Sequence, residues 1–552
     1  MARQQAVIRE IWMLSREYGN LAGAGGVKDV VSQLSVNLAR WSGRSVHVVL
    51  PCYGFMKPEA SGFKLLNDPL SPENELSYEV DLNYPEEERR EEVKVWTAKI
   101  DRVNIYLIDA ERFREKQNVY TYTAEEEESF SWQKAGEGHI DYFAMNILLQ
   151  KAAIDLMILL GARPDIIHCH DGHTAVLPAM ISEQSGLRQY FRGTGCVVTV
   201  HNAGQGYHQE VADLDFAHAS TGLSLSHIRR HRLDDCFDPF LAGAPYAVMN
   251  TVSENYALEL RETIDDHLTG WLGHTLLERH IVLEGVTNGI DPYAFSAQDY
   301  KRSHIADGFE PLGTAPLDGK VTCKTALLEF LSEKKIIPGV QQSGYLTVKP
   351  AVPLVTFIGR LSAQKGVGVL TGAIEKLLAE KADFQFLLLG TGSRHDEEGL
   401  IELAEKKGNL GRVCILRGFD TILANKVYAA GDFFVIPSQY EPCGLTDFMA
   451  QLFGNLPIVH SVGGLVKVVD GETGFAYSEQ SVLTLSTAIT RALELYSSDP
   501  AAIRRMQRQA VELIQKQFTW GTVSKKYLEL YKKAKRNKNT NSAVHKASVL
   551  IK

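Results

Sequence analysis

Short apolar runs punctuate this chain and alternate with longer stretches whose apolar positions recur at helical spacing. In the first half Ser45–Pro51, residues 103–108, residues 165–168 and Gly195–Val200 read as buried strands; residues 353–358, 384–389 and 432–436 do so in the second. Most of these runs end in or beside Gly, His, Asp or Pro, where a chain leaves a sheet. Between them, residues 142–160 and 369–380 carry amphipathic helical patterns. Strands alternating with helices predict parallel α/β sheets with crossover helices on both faces. The series runs once to about Val286 and begins again near Pro353, after a weakly patterned segment at residues 298–313 that carries Gly, Pro and Ser. The expected fold class is therefore α/β, with two doubly wound domains facing a central cleft. Open α/β sheets take ligands at the C-terminal ends of their strands, so two facing sheets would form one site.

Composition narrows the function classes. At 552 residues the expectation is about two to four domains. An apolar fraction of 45% and a charged fraction of 23% exclude a disordered chain, a collagen-like repeat and a small disulfide scaffold. The net charge of -9, from 58 Lys and Arg against 67 Asp and Glu, argues against broad nucleic-acid binding. The seven cysteines are odd in number, widely spaced and without a C-x-x-C pair, which speaks against a disulfide framework or structural zinc and for a reducing cytoplasm. No run approaches the roughly 18 apolar residues of a membrane helix, and Met1–Gln5 lack the layout of a signal peptide. The acidic clusters Glu86–Glu88 with Glu91 and Glu92, and Glu125 to Glu128, read as solvated loops.

Four motifs carry chemistry. Gly23-Ala-Gly25-Gly26-Val-Lys28-Asp29 follows an apolar strand and opens a helical pattern, so its backbone can approach an anion at a helix N-terminus; a ligand-free Gly-rich turn is the plainer reading. His168-Cys-His170-Asp171-Gly-His173 ends a strand, and the next strand ends in His201-Asn202. Hydrogen bonding to a polyhydroxylated ligand suits this clustering better than a metal, with packed core histidines as the alternative. Arg360 and Lys365 lie at a strand-to-helix turn, where a fork and a point charge can clamp a diphosphate; a solvated surface pair is the alternative. Finally, Pro437-Ser-Gln-Tyr-Glu441-Pro-Cys443-Gly444-Leu445-Thr446 joins one carboxylate to amides that open a helix. It reads either as a ligand site or as a helix-capping loop, and Cys443 as a nucleophile would lack a nearby His.

Together these residues resemble the bacterial glycogen synthase and plant starch synthase family of retaining glycosyltransferases. The family's K-x-G-G-L-x-D-V matches Gly23 to Val30 except at its Lys, with Val27 for Leu, and H-x-H-D-W-H matches His168 to His173 except at Gly172. T-V-H-N matches Thr199 to Asn202, T-V-S-x-x-Y-A matches Thr251 to Ala257, and N-G-[IV]-D matches Asn288 to Asp291. G-R-L-x-x-Q-K-G matches Gly359 to Gly366, P-S-x-[YF]-E-P-C-G-L-T matches Pro437 to Thr446 in full, and F-[ST]-W appears as Phe518-Thr-Trp520. The resemblance implies the two-domain arrangement called GT-B. The domains would be residues 1–290 on the acceptor side, 291–517 for the nucleotide-sugar, and a C-terminal helix at 518–552 that returns to the first domain. It also implies transfer of glucose, with retention, from ADP-glucose or UDP-glucose to the non-reducing end of an α-1,4-glucan, without cofactor or essential metal, in the cytoplasm.

By the same resemblance Arg360 and Lys365 hold the donor diphosphate, with Gly25, Gly26 and Asp29 facing it. Glu441 orients the glucosyl ring beside Cys443, Gly444, Leu445 and Thr446. His201 lies by the anomeric carbon; Asp171, His173, Asn202 and Asn288 line the sugar pocket, and Phe419 lies near the base. His201, Glu441, Arg360 and Lys365 form the catalytic set. Four departures touch this site: Gly23 for Lys, Gly172 for Trp, a shortened His201-Asn-Ala-Gly-Gln-Gly206, and Val462 for Thr in Val462-Gly463-Gly464-Leu465. Lys28 is the one cation left in the first motif, and solvent is its expected direction. A related transferase with another acceptor, or a degenerate glucan-binding protein, are the alternative functions. The tail at residues 525–552 holds nine Lys and Arg against one Glu and reads as a surface helix with a loose end, frayed about residues 537–542, or as a glucan- or partner-contacting arm.

Overall fold

A computed structural model describes residues 7–333, 337–392 and 394–549; Met1–Gln5 and the last residues of the basic tail lie outside the described residues. The chain forms two units, Met1–Gly289 with Trp520–Lys552, and Ile290–Thr519. The breaks differ from 290/291 and 517/518 for a packing reason. Gly289 lies against Trp520, where an added Cβ would come within 2.8 Å of the indole, whereas Ile290 pairs with Thr519 in a short parallel bridge.

Unit 1 is built on a ten-stranded sheet. Its strands include β1 (Glu10–Leu14), β2 (Ser45–Pro51), β3 (Arg90–Ile100), β4 (Val103–Asp109), β5 (Ile166–His170), β6 (Gly195–Val200), β7 (Val248–Thr251) and β8 (Glu284–Gly285). The spatial order is β8-β7-β6-β5-β1-β2-β4-β3, with Lys64–Leu65 and Ser77–Asp81 added on β3. All pairs from β8 to β4 are parallel, and β3 is antiparallel to β4. The chain builds outward from β1 through β2 to β4, then resumes on the other side of β1 with β5, β6 and β7. Such a reversal opens a crevice at the carboxyl ends of the neighbouring strands.

Unit 2 repeats the plan with β9 (Val340–Leu346), β10 (Leu354–Leu361), β11 (Gln385–Gly392), β12 (Arg412–Gly418), β13 (Phe433–Ile436), β14 (Leu456–His460) and β15 (Phe475–Tyr477). The order is β9-β12-β11-β10-β13-β14-β15, and only β9 runs antiparallel. Here the reversal falls between β10 and β13. Phe386 and Leu388 enter one apolar cluster and Leu387 and Leu389 the other, so the sheet is covered on both faces. That is why these strands read as unbroken apolar runs.

Three sequence expectations change. Helix α2 (Tyr142–Leu159) follows α1 (Val27–Arg40) among the helices described here. It is apolar all round rather than amphipathic and, at a mean hydropathy of 1.4, is long and apolar enough to cross a membrane; 72% of it is buried inside unit 1. It packs on β2, β4, Ser77–Asp81 and the helix Leu214–Thr221. Two of its polar residues, Asn146 and Gln150, are internal: Gln150 Nε2 donates to the carbonyls of Asn146 (2.9 Å) and His173 (3.1 Å).

The acidic clusters are not loops throughout. Glu91 and Glu92 lie on β3 and Glu91 accepts from Arg112 Nε at 2.8 Å, while Ala124–Ser129 is a helical turn capped reciprocally by Thr123 and Glu126. The basic tail, too, is docked. A helix, Trp520–Val549, runs on without a break through residues 537–542. It buries Trp520, Val523, Tyr527, Leu528 and Tyr531, and Lys526 and Lys535 pair with Glu254 (2.6 Å) and Asp165 (2.7 Å). Gly195 makes this fit possible, since a Cβ there would lie 2.7 Å from the Ala534 backbone. None of the seven cysteines forms a disulfide.

Candidate active site

In unit 1 the motif residues leave the carboxyl ends of β1, β5 and β6, which are adjacent. His170 closes β5, and its Nδ1 lies 2.9 Å from Nε2 of His201, which follows β6. Asp171 adopts a left-handed backbone (φ +60) that turns its carboxylate back to accept the His201 amide at 2.7 Å. Burial drives its carboxyl up to about 8 against the pull of the His201 and Asn202 amides, and drives the His201 imidazole down to about 3. His173 is buried and stacks on Tyr120 at 5.2 Å. Asn202 caps its own turn by accepting from the Gly204 amide at 2.8 Å. Asn288 is buried, and its Oδ1 has no hydrogen-bond partner among the described residues. His168 is not at the site: it binds the Tyr531 hydroxyl (2.9 Å) and Thr199 (2.7 Å) inside the core.

The glycine loop between β1 and α1 differs from a free phosphate cradle. Buried Glu17 accepts the amides of Ala24 (2.8 Å) and Gly25 (3.0 Å) and the Tyr120 hydroxyl (2.6 Å). Gly25 therefore does not offer its amide to a ligand in this structure. Gly26 is the N-cap of α1 and Asp29 lies in its first turn, where the helix dipole favours an anion. Burial raises the Asp29 carboxyl, and neighbouring Lys28 opposes that. Lys28 does not stand off into solvent. Its stem lies across Gly23, with Cδ 2.3 Å from where a Gly23 Cβ would be. Both border a cavity of about 460 Å³ with Phe55, Gln117 and Asn118.

Two of the departures prove to be one. A Cβ on Gly172 would lie 2.1 Å from the His208 carbonyl oxygen, so the shortened loop after His201 occupies the space a Trp would need. His208 pins that loop: its ring bonds the Ala203 carbonyl (2.8 Å) and buried Asp238 (2.6 Å). Burial opposes its charge, but the Asp238 carboxylate prevails and lifts its pKa to about 9.

In unit 2, Arg360 stands exposed near the end of β10, and Lys365 lies in the turn to the helix Val367–Ala379. Lys365 Nζ is 2.6 Å from Glu441 Oε2, and the Ser438 hydroxyl donates to the same oxygen at 2.8 Å. Burial pushes Glu441 up, but the Lys365 ammonium and these bonds outweigh it and hold the carboxyl below its usual range. Beneath the loop, Lys467 Nζ donates to the carbonyls of Cys443, Gly444 (2.7 Å) and Gly464 (3.0 Å), and pairs with Asp447 at 3.2 Å. The Gly463-Gly464 turn packs against Glu441 and Cys443 so closely that Cβ atoms would fall 2.0 and 2.1 Å from their carbonyl oxygens. Val462 leaves that turn without a side-chain cap. Cys443 is buried, Leu445 joins the apolar cluster of Phe448, and Thr446 begins the helix Thr446–Leu452. Phe419, 64% exposed just after β12, presents an open aromatic face. Among the described residues no group of three or more His, Cys, Asp or Glu gathers to hold a metal.

A family model for the starch synthase catalytic domain matches residues 10–274, and one for glycosyl transferases group 1 matches residues 352–495. The glycogen synthase of Streptococcus sanguinis is 30% identical over 95% of this chain and 99% of its own length, and that of Streptococcus gordonii matches equally. The chain belongs to the glycogen and starch synthase family.

The catalytic domain of starch synthase IV from Arabidopsis thaliana, bound to ADP and acarbose, superposes with a TM-score of 0.77 at 24% identity, covering 96% of this chain and all of that one. The fold is GT-B, and the activity is glucosyl transfer of the glycogen and starch synthase kind. A sequence reading aimed at family motifs passes over Glu17, Tyr120, His208, Asp238, Ser438 and Lys467. Ser438 lies inside a quoted motif, and Lys467 follows Val462-Gly463-Gly464-Leu465 almost at once; Tyr120 and Asp238 reach the site only through the fold.

Proposed function

We propose that this glycosyltransferase moves glucose, with retention, from a nucleoside-diphosphate glucose to the non-reducing end of an α-1,4-glucan. The observation that carries the reading is the Lys365–Glu441–Ser438 cluster at the switch point of unit 2, with Arg360 on the adjoining strand end. Arg360 and Lys365 take the diphosphate, which competes with Glu441 for the Lys365 ammonium. Glu441 then faces the glucosyl unit as positive charge develops, and the Cys443 to Thr446 backbone, stiffened by Lys467, lies beside it. Phe419 stacks on the base. From unit 1, His201, Asp171, His173, Asn202 and Asn288 contact sugar hydroxyls.

Incubation with radiolabelled ADP-glucose and UDP-glucose tests this, with glycogen or a sugar phosphate as acceptor. Label should enter glycogen from one donor and resist EDTA, because two cations already oppose the leaving diphosphate. Label found only in a small phosphorylated product would move the acceptor; loss of activity in EDTA, restored by magnesium, would move the chemistry.

Lys28 is the cation of the Gly23 loop, and its stem already fills the place a side chain at 23 would take. Lys28→Ala should weaken ADP binding in calorimetry about tenfold, or ~1.4 kcal/mol. Gly23→Lys should fail to tighten it, since the new side chain collides with Lys28. Unchanged affinity in both variants would remove this loop from the donor site.

A further inference from the structure

His201 has one nitrogen committed and one open. Its Nε2 meets His170 Nδ1 at 2.9 Å, with the rings stacked at 5.2 Å. Its Nδ1 has no hydrogen-bond partner among the described residues and is not among the polar atoms sealed from solvent. The backbone is fixed as well, since Asp171 holds the His201 amide. His170 is enclosed: its Nε2 is buried and unpartnered. The neighbouring His168 cannot help, because both its nitrogens are engaged by Tyr531 and Thr199.

One proton lies between His170 and His201, and it has two possible owners. If His201 Nε2–H donates, His170 must carry its own proton on Nε2, an N–H buried with no acceptor. If His170 Nδ1–H donates, the unpartnered atom is only a lone pair, and His201 carries its proton on the open Nδ1. Orphaned buried N–H groups are the rarer defect. We infer that His170 is a positioning residue that fixes His201 as its Nδ1–H tautomer, so that His201 meets a sugar only as a hydrogen-bond donor. With Nε2 occupied, the ring has no lone pair for a proton or a metal, and it serves neither as general base nor as ligand. The burial that holds His201 near 3 keeps it neutral throughout the working range. The sugar contact rests on the glucosyl-transfer reading; the tautomer does not.

The test is a long-range proton–nitrogen correlation spectrum of the full chain, labelled with 15N-histidine, with His201→Asn used to assign the His201 signals. Wild type should show Nδ1 protonated and Nε2 bare. His170→Phe should scramble this pattern and lower kcat tenfold or more with little change in KM. His170→Asn, whose amide N–H can stand where Nδ1–H was, should recover most of what His170→Phe loses. A wild-type spectrum with the proton on Nε2 overturns the inference, even if His170→Phe does not fold. So does a His170→Phe spectrum with the tautomer unchanged. Absent turnover beside an Nδ1–H spectrum would instead reject the glucosyl-transfer reading alone.

Discussion

Glu441→Gln should lower kcat by about two to three orders of magnitude while leaving donor affinity unchanged or slightly tighter. The substitution keeps the shape and removes the charge. Glu441 binds Lys365 at 2.6 Å, so the carboxylate and an incoming diphosphate are rivals for the same ammonium. Removing the carboxylate's charge frees Lys365 for the donor, yet takes away the anion proposed to face developing positive charge on the glucosyl unit. Interactions made only in the transition state appear in kcat. Lys365→Ala should behave oppositely, raising the donor KM strongly. Steady-state kinetics and ADP calorimetry on both variants separate the roles. A raised KM at constant kcat for Glu441→Gln would make Glu441 a binding residue.

Acid should unfold unit 1 before unit 2. Burial holds His168 and His201 near 3 and keeps His170 and His173 far below their ordinary value. His47, His139 and His231 lie near 4. Below the unfolded value of about 6.5 the unfolded chain binds protons that the folded chain refuses, so stability falls as pH drops. Asp171, raised to about 8, works the other way and offsets part of this. So do Asp155 in unit 1 and Asp447 in unit 2, each near 6. Between pH 7 and 5.5 the seven histidines outweigh these carboxyls, so unit 1 loses stability on balance. At the alkaline end, His208 stabilises fully below about 6.5 and loses that contribution as pH rises through about 9. Urea midpoints followed separately for the two units at pH 5.5, 7 and 9 test this. A unit 1 midpoint that holds between 7 and 5.5 would mean the histidines titrate normally.

The architecture was largely legible because strands buried on both faces announce themselves as apolar runs. Ser45–Pro51 and Gly195–Val200 have the bounds the pattern suggests. Residues 165–168 fell short of β5, because Cys169 and His170 read as part of the polar cluster beyond the strand end while the fold buries both within it. Helix α2 misled for the converse reason: burial on every side erases the polar face that marks an amphipathic helix. At the site, motifs name the residues that bear charge but not what holds them. That Glu17 already occupies the Gly25 amide, or that Gly172 yields its space to His208, depends on contacts between segments remote in sequence. Gly23 and Lys28 are close in sequence, yet it is the fold of the loop that lays one over the other.

The C-terminal helix makes unit 1 a product of both chain ends, and this sets an order of events during synthesis. When Gly289 leaves the ribosome, β6 and β5 still lack the cover of Tyr527 and Tyr531, and His168 lacks its hydroxyl partner. At about 5–20 residues per second, making Ile290–Thr519 takes roughly ten to fifty seconds. Unit 2, continuous in the chain, can fold within that interval while unit 1 waits with an apolar strip uncovered. A ribosome that stalls before Trp520 would therefore release a half-finished first domain beside a finished second one, and the nascent chain is most exposed to chaperones and proteases in that window.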